Sequence, residues 1–175
     1  YQNKWMPIAG EGGHVSLTAT TAHEFAAIQQ LQKRYGHVSA ERVISGAGLV
    51  DLYHALCDLK DGQGREITTP AEVIERAQEV ATSTANEALD MFCGFLGSVA
   101  GDLALTLGAR GGIYIGGGIV PRLGERFDAS PFRERFEAKG RFKKYLQEVP
   151  TWVIHSPVSP ALQGASQALS LTQWQ

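Results

Sequence analysis

One apolar stripe constrains this chain more than any other feature. From about Ser83 to Leu107, the residues Leu89, Phe92, Cys93, Leu96, Val99, Leu103 and Leu107 recur at steps of three and four, the repeat that lines one face of an α-helix. Gly94, Gly97 and Gly101 fall within the same stretch. Each costs about 1 kcal/mol against Ala in an exposed helix, so a helix carrying three of them is expected to press its backbone against a neighbour. Its most apolar run, Met91 to Gly101, is bracketed by Asp90 and Asp102 and is about half of the ~20 residues a membrane span needs. The stripe therefore predicts a core helix rather than a membrane or dimerisation helix.

Other helices announce their starts. Thr21 with Glu24 has capping-box spacing ahead of Phe25, Ile28 and Leu31, and Thr69-Pro70-Ala71-Glu72 adds a proline in the first turn. Ser130-Pro131 and Ser159-Pro160 repeat the cap-then-proline device. A further helix is predicted over Gly48 to Leu59, with Leu49, Leu52, Tyr53, Leu56 and Leu59 on one face, and a surface turn over Asp61 to Arg65. Strands are fewer. Gly112 to Ile115 and Thr151 to Ile154 read as short buried strands, and Trp5 to Ala9 as a third strand or an extended lead-in. Helix alternating with strand predicts an α/β layered domain with parallel pairing. So few strands among so many helices imply that part of the sheet is missing from this chain.

Composition excludes several classes. A chain of 175 residues is one domain in size, and 43% hydrophobic residues are too many for a disordered one. A net charge of −2 gives no electrostatic footprint for nucleic acid. Two cysteines make neither a disulfide framework nor the paired motifs of a zinc site. With no signal-peptide pattern, the expected location is cytoplasmic. Glycine, at 20 residues, exceeds the usual ~7%, and glycine is used where backbone must turn sharply or approach a ligand closely.

Three segments could carry chemistry. In Gly10-Glu11-Gly12-Gly13-His14 a carboxylate and an imidazole stand among glycines, presented on a bendable loop. Such groups exchange hydrogen bonds with neighbouring hydroxyls, which suits a sugar. A metal pair would need a helix to bring both to one face, and a plain glycine-rich turn fits the same residues. In Gly36-His37-Val38-Ser39-Ala40-Glu41-Arg42, Ser39 is a helix cap and Glu41 falls in the first turn, where the helix dipole favours a carboxylate with or without a ligand. The third segment is Ile113-Tyr114-Ile115-Gly116-Gly117-Gly118-Ile119-Val120-Pro121. Three glycines after a strand leave the backbone bare where α/β sheets bind ligands, so a flat ligand such as a nucleotide could lie there, and a tight strand–helix turn fits the same residues. No Gly-Lys-Ser or Gly-Lys-Thr follows, so this is not a phosphate loop of the common type.

Together these segments, with Gly111-Gly112 and Arg122 flanking the third and Phe136 to Phe142 further on, resemble the bacterial ATP-dependent glucokinases over most of the chain. The cysteine-rich zinc motif of related repressor and kinase proteins is absent. The resemblance implies a helix-rich α/β fold of the actin-like, ribonuclease-H-like ATPase class, acting on glucose and ATP with Mg2+, in a homodimer without nucleic acid or membrane partners. It also implies roles. Glu11, His14 and Glu41 would hold glucose hydroxyls, and Gly116, Gly117 and Gly118 would contact adenosine. No metal ligand is implied in this chain.

The same resemblance implies what is not here. The family's catalytic base is an Asp upstream of the sugar motif, and no Asp precedes Glu11. The two glycine- and threonine-rich phosphate loops also lie upstream in the family. Residues 1–175 are therefore expected to be the large C-terminal domain of a two-domain sugar kinase, with the small N-terminal domain absent, no catalytic residue of its own, and no activity alone. A non-catalytic sugar-binding regulatory module is the alternative expectation, and an interaction scaffold built on the small-residue helix is a third.

Overall fold

The computed structural model describes residues 8–172 apart from 61, 63, 64 and 81. The extended segment expected at Trp5 to Ala9 lies outside the described residues except for Ile8 and Ala9, which belong to neither helix nor strand. The turn expected at Asp61 to Arg65 is likewise only partly described.

In chain order, a 3-10 turn at Gly12–His14 leads to α1 (Ala22–Tyr35), the single-turn α2 (Ala40–Val43), α3 (Gly46–Lys60), α4 (Pro70–Glu79) and α5 (Thr84–Leu107). Then come β1 (Ile113–Ile115), four short helices α6 (Val120–Leu123), α7 (Glu125–Asp128), α8 (Phe132–Glu137) and α9 (Lys143–Gln147), β2 (Thr151–Val153), and α10 (Pro160–Thr172). The local signals are realised in atoms. Thr21 and Thr69 each close a reciprocal capping box, with Glu24 and Glu72. Ser83 caps α5 by accepting the Asn86 N–H, and Gly108 ends that helix in the left-handed conformation. Ser130 differs from expectation: α8 starts at Phe132, and the Ser130 hydroxyl donates to the Phe127 carbonyl while accepting the Phe132 N–H.

Helix α5 is the axis of the core, packed by α8, α4 and α3. Its glycines are the reason it can be approached so closely. A methyl on Gly97 would collide with the Phe132 carbonyl of α8, and one on Gly101 would lie 2.5 Å from the Phe136 carbonyl. Arg135 of α8 covers Gly94. By length and hydropathy α5 could cross a membrane, yet 67% of its most apolar window is buried inside this fold. The stripe is less complete than its periodicity predicts. Leu103 and Leu107, near the C-terminal end, are exposed, as is Phe25 of α1. Both cysteines are buried and unpaired; burial pushes the Cys93 thiol up to about 11 despite its Ser130 hydrogen bond, so it stays protonated at neutral pH.

Strands β1 and β2 pair in parallel with Tyr114 opposite Trp152. The ladder is prolonged by the Ile113 N–H donating to the Pro150 carbonyl and the Ile154 N–H donating to the Ile115 carbonyl. The expectation of buried strands holds for one face only. Ile115 is buried, whereas Tyr114 and Trp152 point the other way, stack with ring centres 4.7 Å apart, and are exposed. Successive strand residues face opposite sides, and among the described residues only one side of this two-stranded sheet is covered.

Candidate functional site

Two clusters of exposed groups stand on this frame. The first is built from the loop around Glu11 and the turn of α2. Gly12–His14 form the 3-10 turn, closed by the His14 N–H donating to the Glu11 carbonyl at 2.9 Å. The chain then runs beside the segment before α2. Ser16 bridges Ser39, the Leu17 N–H donates to the Val38 carbonyl, and the Ala40 N–H donates to the Val15 carbonyl. This short antiparallel contact ties two segments separated in sequence and fixes their side chains relative to each other.

The result places His14 Nε2 3.5 Å from Glu41 Oε2 and 3.7 Å from Glu11 Oε2. All three residues predicted from sequence as sugar-holding are thus brought together, and all three side chains are more than half exposed. These separations are longer than a short hydrogen bond of about 2.7–3.2 Å. The carboxylate lone pairs and the imidazole remain able to engage a ligand, while the backbone contact between the two segments keeps them converged. Gly13 leaves room for the convergence: a Cβ there would lie 3.3 Å from Glu41 Oε2, so that side chain would have to shift slightly. Ser39 caps α2 by accepting the Arg42 N–H at 3.2 Å, so Glu41 serves the helix end and faces the cluster at once. Beside it, His14, Ser39, Glu41, Arg42 and Ser45 line a cavity of about 270 Å³.

The second cluster lies at the carboxyl end of the sheet. Gly116, Gly117 and Gly118 follow β1 directly and line a cavity of about 840 Å³. Gly117 has φ +112°, a conformation that L side chains rarely adopt, and a Cβ on Gly117 or Gly118 would meet nothing within 4 Å. The backbone is bare because the space is open, not because a neighbour demands it. Arg122, His155, Ser156 and Pro157 line the same cavity. Sequence reasoning missed His155 and Ser156, although the signal existed: they follow β2 just as the glycines follow β1, and ligands gather at the carboxyl ends of parallel strands. No carboxylate lines this cavity, and among the described residues no group of three or more His, Cys, Asp or Glu could hold a metal ion. The residues present do not fit a bound Mg2+.

A family model described as Glucokinase matches residues 1–172. The chain belongs to the glucokinase family. Among curated relatives, it is 52% identical over 167 residues to the glucokinase of Aromatoleum aromaticum, covering 95% of this chain and 50% of that one. It is 51% identical over 166 residues to that of Chromobacterium violaceum, covering 95% of this chain and 47% of the other. The chain therefore spans about half the length of the curated relatives it matches. Among solved structures, a glucokinase from an Antarctic psychrotroph superposes with a TM-score of 0.78 at 39% identity, over 85% of this chain and 46% of that one. The Balamuthia mandrillaris glucokinase, solved in complex with glucose, superposes with a TM-score of 0.70 at 22% identity, over 87% of this chain and 44% of the other, a likeness of fold.

Proposed function

We propose that this chain supplies the sugar-holding and adenosine-side surfaces of an ATP-dependent glucokinase, which transfers the γ-phosphoryl group of ATP to the 6-hydroxyl of glucose. The observation that carries the reading is the convergence of Glu11 and Glu41 on His14, each within 3.7 Å of its ring nitrogen. Two acceptors and an imidazole, exposed and held by backbone rather than by each other's hydrogen bonds, match the alternating donors and acceptors of a sugar edge. The family match over residues 1–172 and curated glucokinases about 50% identical to this chain support the choice of sugar.

Phosphoryl transfer asks a protein for positioning and charge stabilisation more than covalent work. Glu11, His14 and Glu41 orient glucose so that its 6-hydroxyl is in line with the γ-phosphate. The glycine loop lets the flat nucleotide lie against bare backbone, and the charge of the guanidinium of Arg122, on the same cavity, complements phosphate. The proton released by the 6-hydroxyl goes to a carboxylate outside this chain, in the half of the enzyme that also brings the phosphate loops. In this reading residues 1–175 form the large C-terminal domain of a two-domain, actin-like enzyme. The enzyme is a cytoplasmic homodimer using Mg2+-complexed ATP, and the chain alone transfers no phosphate.

Glu41→Gln in the full-length enzyme tests the reading. Removing a charge-assisted hydrogen bond costs about 1.5–3 kcal/mol, so the glucose KM is expected to rise at least tenfold while the ATP KM holds. An unchanged glucose KM would take Glu41 out of the sugar site.

A further inference from the structure

Helix α2 is a single turn, Ala40–Val43, too short to hold its direction by its own hydrogen bonds. Yet it carries Glu41, whose carboxylate must be aimed if the cluster is to work. Part of the aim comes from the bridge between Ser16 and Ser39. The rest comes from the other side of the turn. Arg42, next to Glu41, is rotated about 100° from it around the helix and lays its guanidinium 4.1 Å from the centre of the Tyr35 ring.

Tyr35 is itself held. It is the last residue of α1, and its hydroxyl donates to Asp51 Oδ2 of α3 at 2.7 Å. The second oxygen of Asp51 accepts Arg34 Nη1 at 2.6 Å, and Arg34 also reaches to 4.9 Å from the Tyr35 ring. Partial burial and the neighbouring Asp51 carboxylate raise the Tyr35 hydroxyl above its ordinary value, so it remains a donor throughout the neutral range. Asp51 is mostly buried, with 11% side-chain exposure, which fixes the far end of the chain of contacts in the α1–α3 core. Among the described residues Arg42 has no salt-bridge partner; the ring is the contact that orients it.

We propose that Tyr35 and Arg42 are positioning residues for the sugar site, with the Tyr35 ring serving as the platform that Arg42 rests on to aim Glu41. The inference rests on the glucokinase reading of Glu41. It assigns the platform to the ring and a smaller share to the hydroxyl. A guanidinium over an aromatic face is a planar stacked contact that an ammonium does not reproduce.

The test is steady-state kinetics of the full-length enzyme with glucose and ATP varied separately. Tyr35→Leu and Arg42→Lys are expected to raise the glucose KM about two- to fivefold, the scale of one exposed cation–π contact, with kcat and the ATP KM held. Loss of binding common to ground and transition states has that signature. Tyr35→Phe, which keeps the ring, is expected to restore most of the glucose KM. Glu41→Gln in the same series separates the two failures. If Glu41→Gln raises the glucose KM and Tyr35→Leu does not, the platform is wrong and the sugar site stands. If Tyr35→Leu and Tyr35→Phe raise the KM equally, the ring is not the platform. If Glu41→Gln itself leaves the KM unmoved, the sugar-site reading falls and takes this inference with it.

Discussion

Two glycine-rich stretches of this molecule use the same residue for opposite ends. In α5 the glycines are crowded: Gly97 and Gly101 face the carbonyls of Phe132 and Phe136 so closely that any side chain would have to displace backbone. After β1 the glycines are bare: Gly117 and Gly118 face open space at the mouth of a cavity. Gly97 and Gly101 are explained by packing. Gly117 is explained by its positive φ, whereas Gly118 has neither a crowding neighbour nor a positive φ, and that surplus is what a ligand contact would account for. Glycine content alone could not separate the two; what each missing Cβ would touch does.

The sharpest way to break the contrast is Gly97→Val in the full-length protein. Collision with the α8 backbone cannot be relieved by a side-chain rotation. The expected loss is about 5 kcal/mol or more, the exceptional end of single substitutions and most of the stability of an ordinary domain. Soluble yield and thermal unfolding report it, and Gly97→Ala should fall between the variant and the parent. Retention of the parent melting temperature by Gly97→Ala would remove the close-approach explanation.

The same seam is held by side chains. Arg135, which covers Gly94, donates to Glu24 and to Ser98 Oγ at 2.9 Å, and Glu24 also accepts the Thr20 N–H at 2.7 Å. The two charged side chains are 15% and 6% exposed. Burial works to raise the Glu24 carboxyl, but the Arg135 hydrogen bond, the Thr20 N–H and the Arg135 charge outweigh it and hold it below the ordinary value. Glu24→Gln leaves the guanidinium buried beside a neutral amide. Breaking such a pair by removing one partner costs about 3–5 kcal/mol. The sign with pH follows from the lowered carboxyl: the charged pair contributes fully above the unfolded value of a glutamate and is lost as pH falls through the folded one. The stability gap between parent and Glu24→Gln should therefore be widest near neutrality and close in acid. A gap that widens on acidification would contradict the assignment.

Much of this was legible in the sequence, for reasons that differ by region. The α5 stripe and the Thr21 and Thr69 capping boxes are local patterns, and they formed as their spacing predicts except at the exposed Leu103 and Leu107; each short strand is a local apolar run too, although its parallel partner lies 38 positions away. The convergence of His14 with Glu41 was suggested only by resemblance, because 27 positions of sequence separate them and the bridge between Ser16 and Ser39 leaves no periodic trace. The open face of the sheet was misread. Tyr114 and Trp152 look like core residues in one dimension, and only the pairing shows that they share the uncovered side. His155 escaped for a related reason: its place on the cavity depends on which strand end lies beside β1, a fact of topology rather than of motif.

The gentlest test bears on the bare set. Gly118 does not have the positive φ of Gly117, and its Cβ would meet nothing within 4 Å, so Gly118→Ala should move stability by no more than about 0.5 kcal/mol. If the loop is a resting surface for a nucleotide, the added methyl stands between backbone and ligand. The ATP KM is then expected to rise about fivefold, equivalent to about 1 kcal/mol, while the glucose KM and the melting temperature hold. In α5 a methyl costs the fold; in this loop it should cost only the nucleotide. A Gly118→Ala enzyme with unaltered melting temperature and unaltered ATP KM would mean that bare backbone at the strand end is not where the nucleotide lies, and the surplus of glycine there would need another cause.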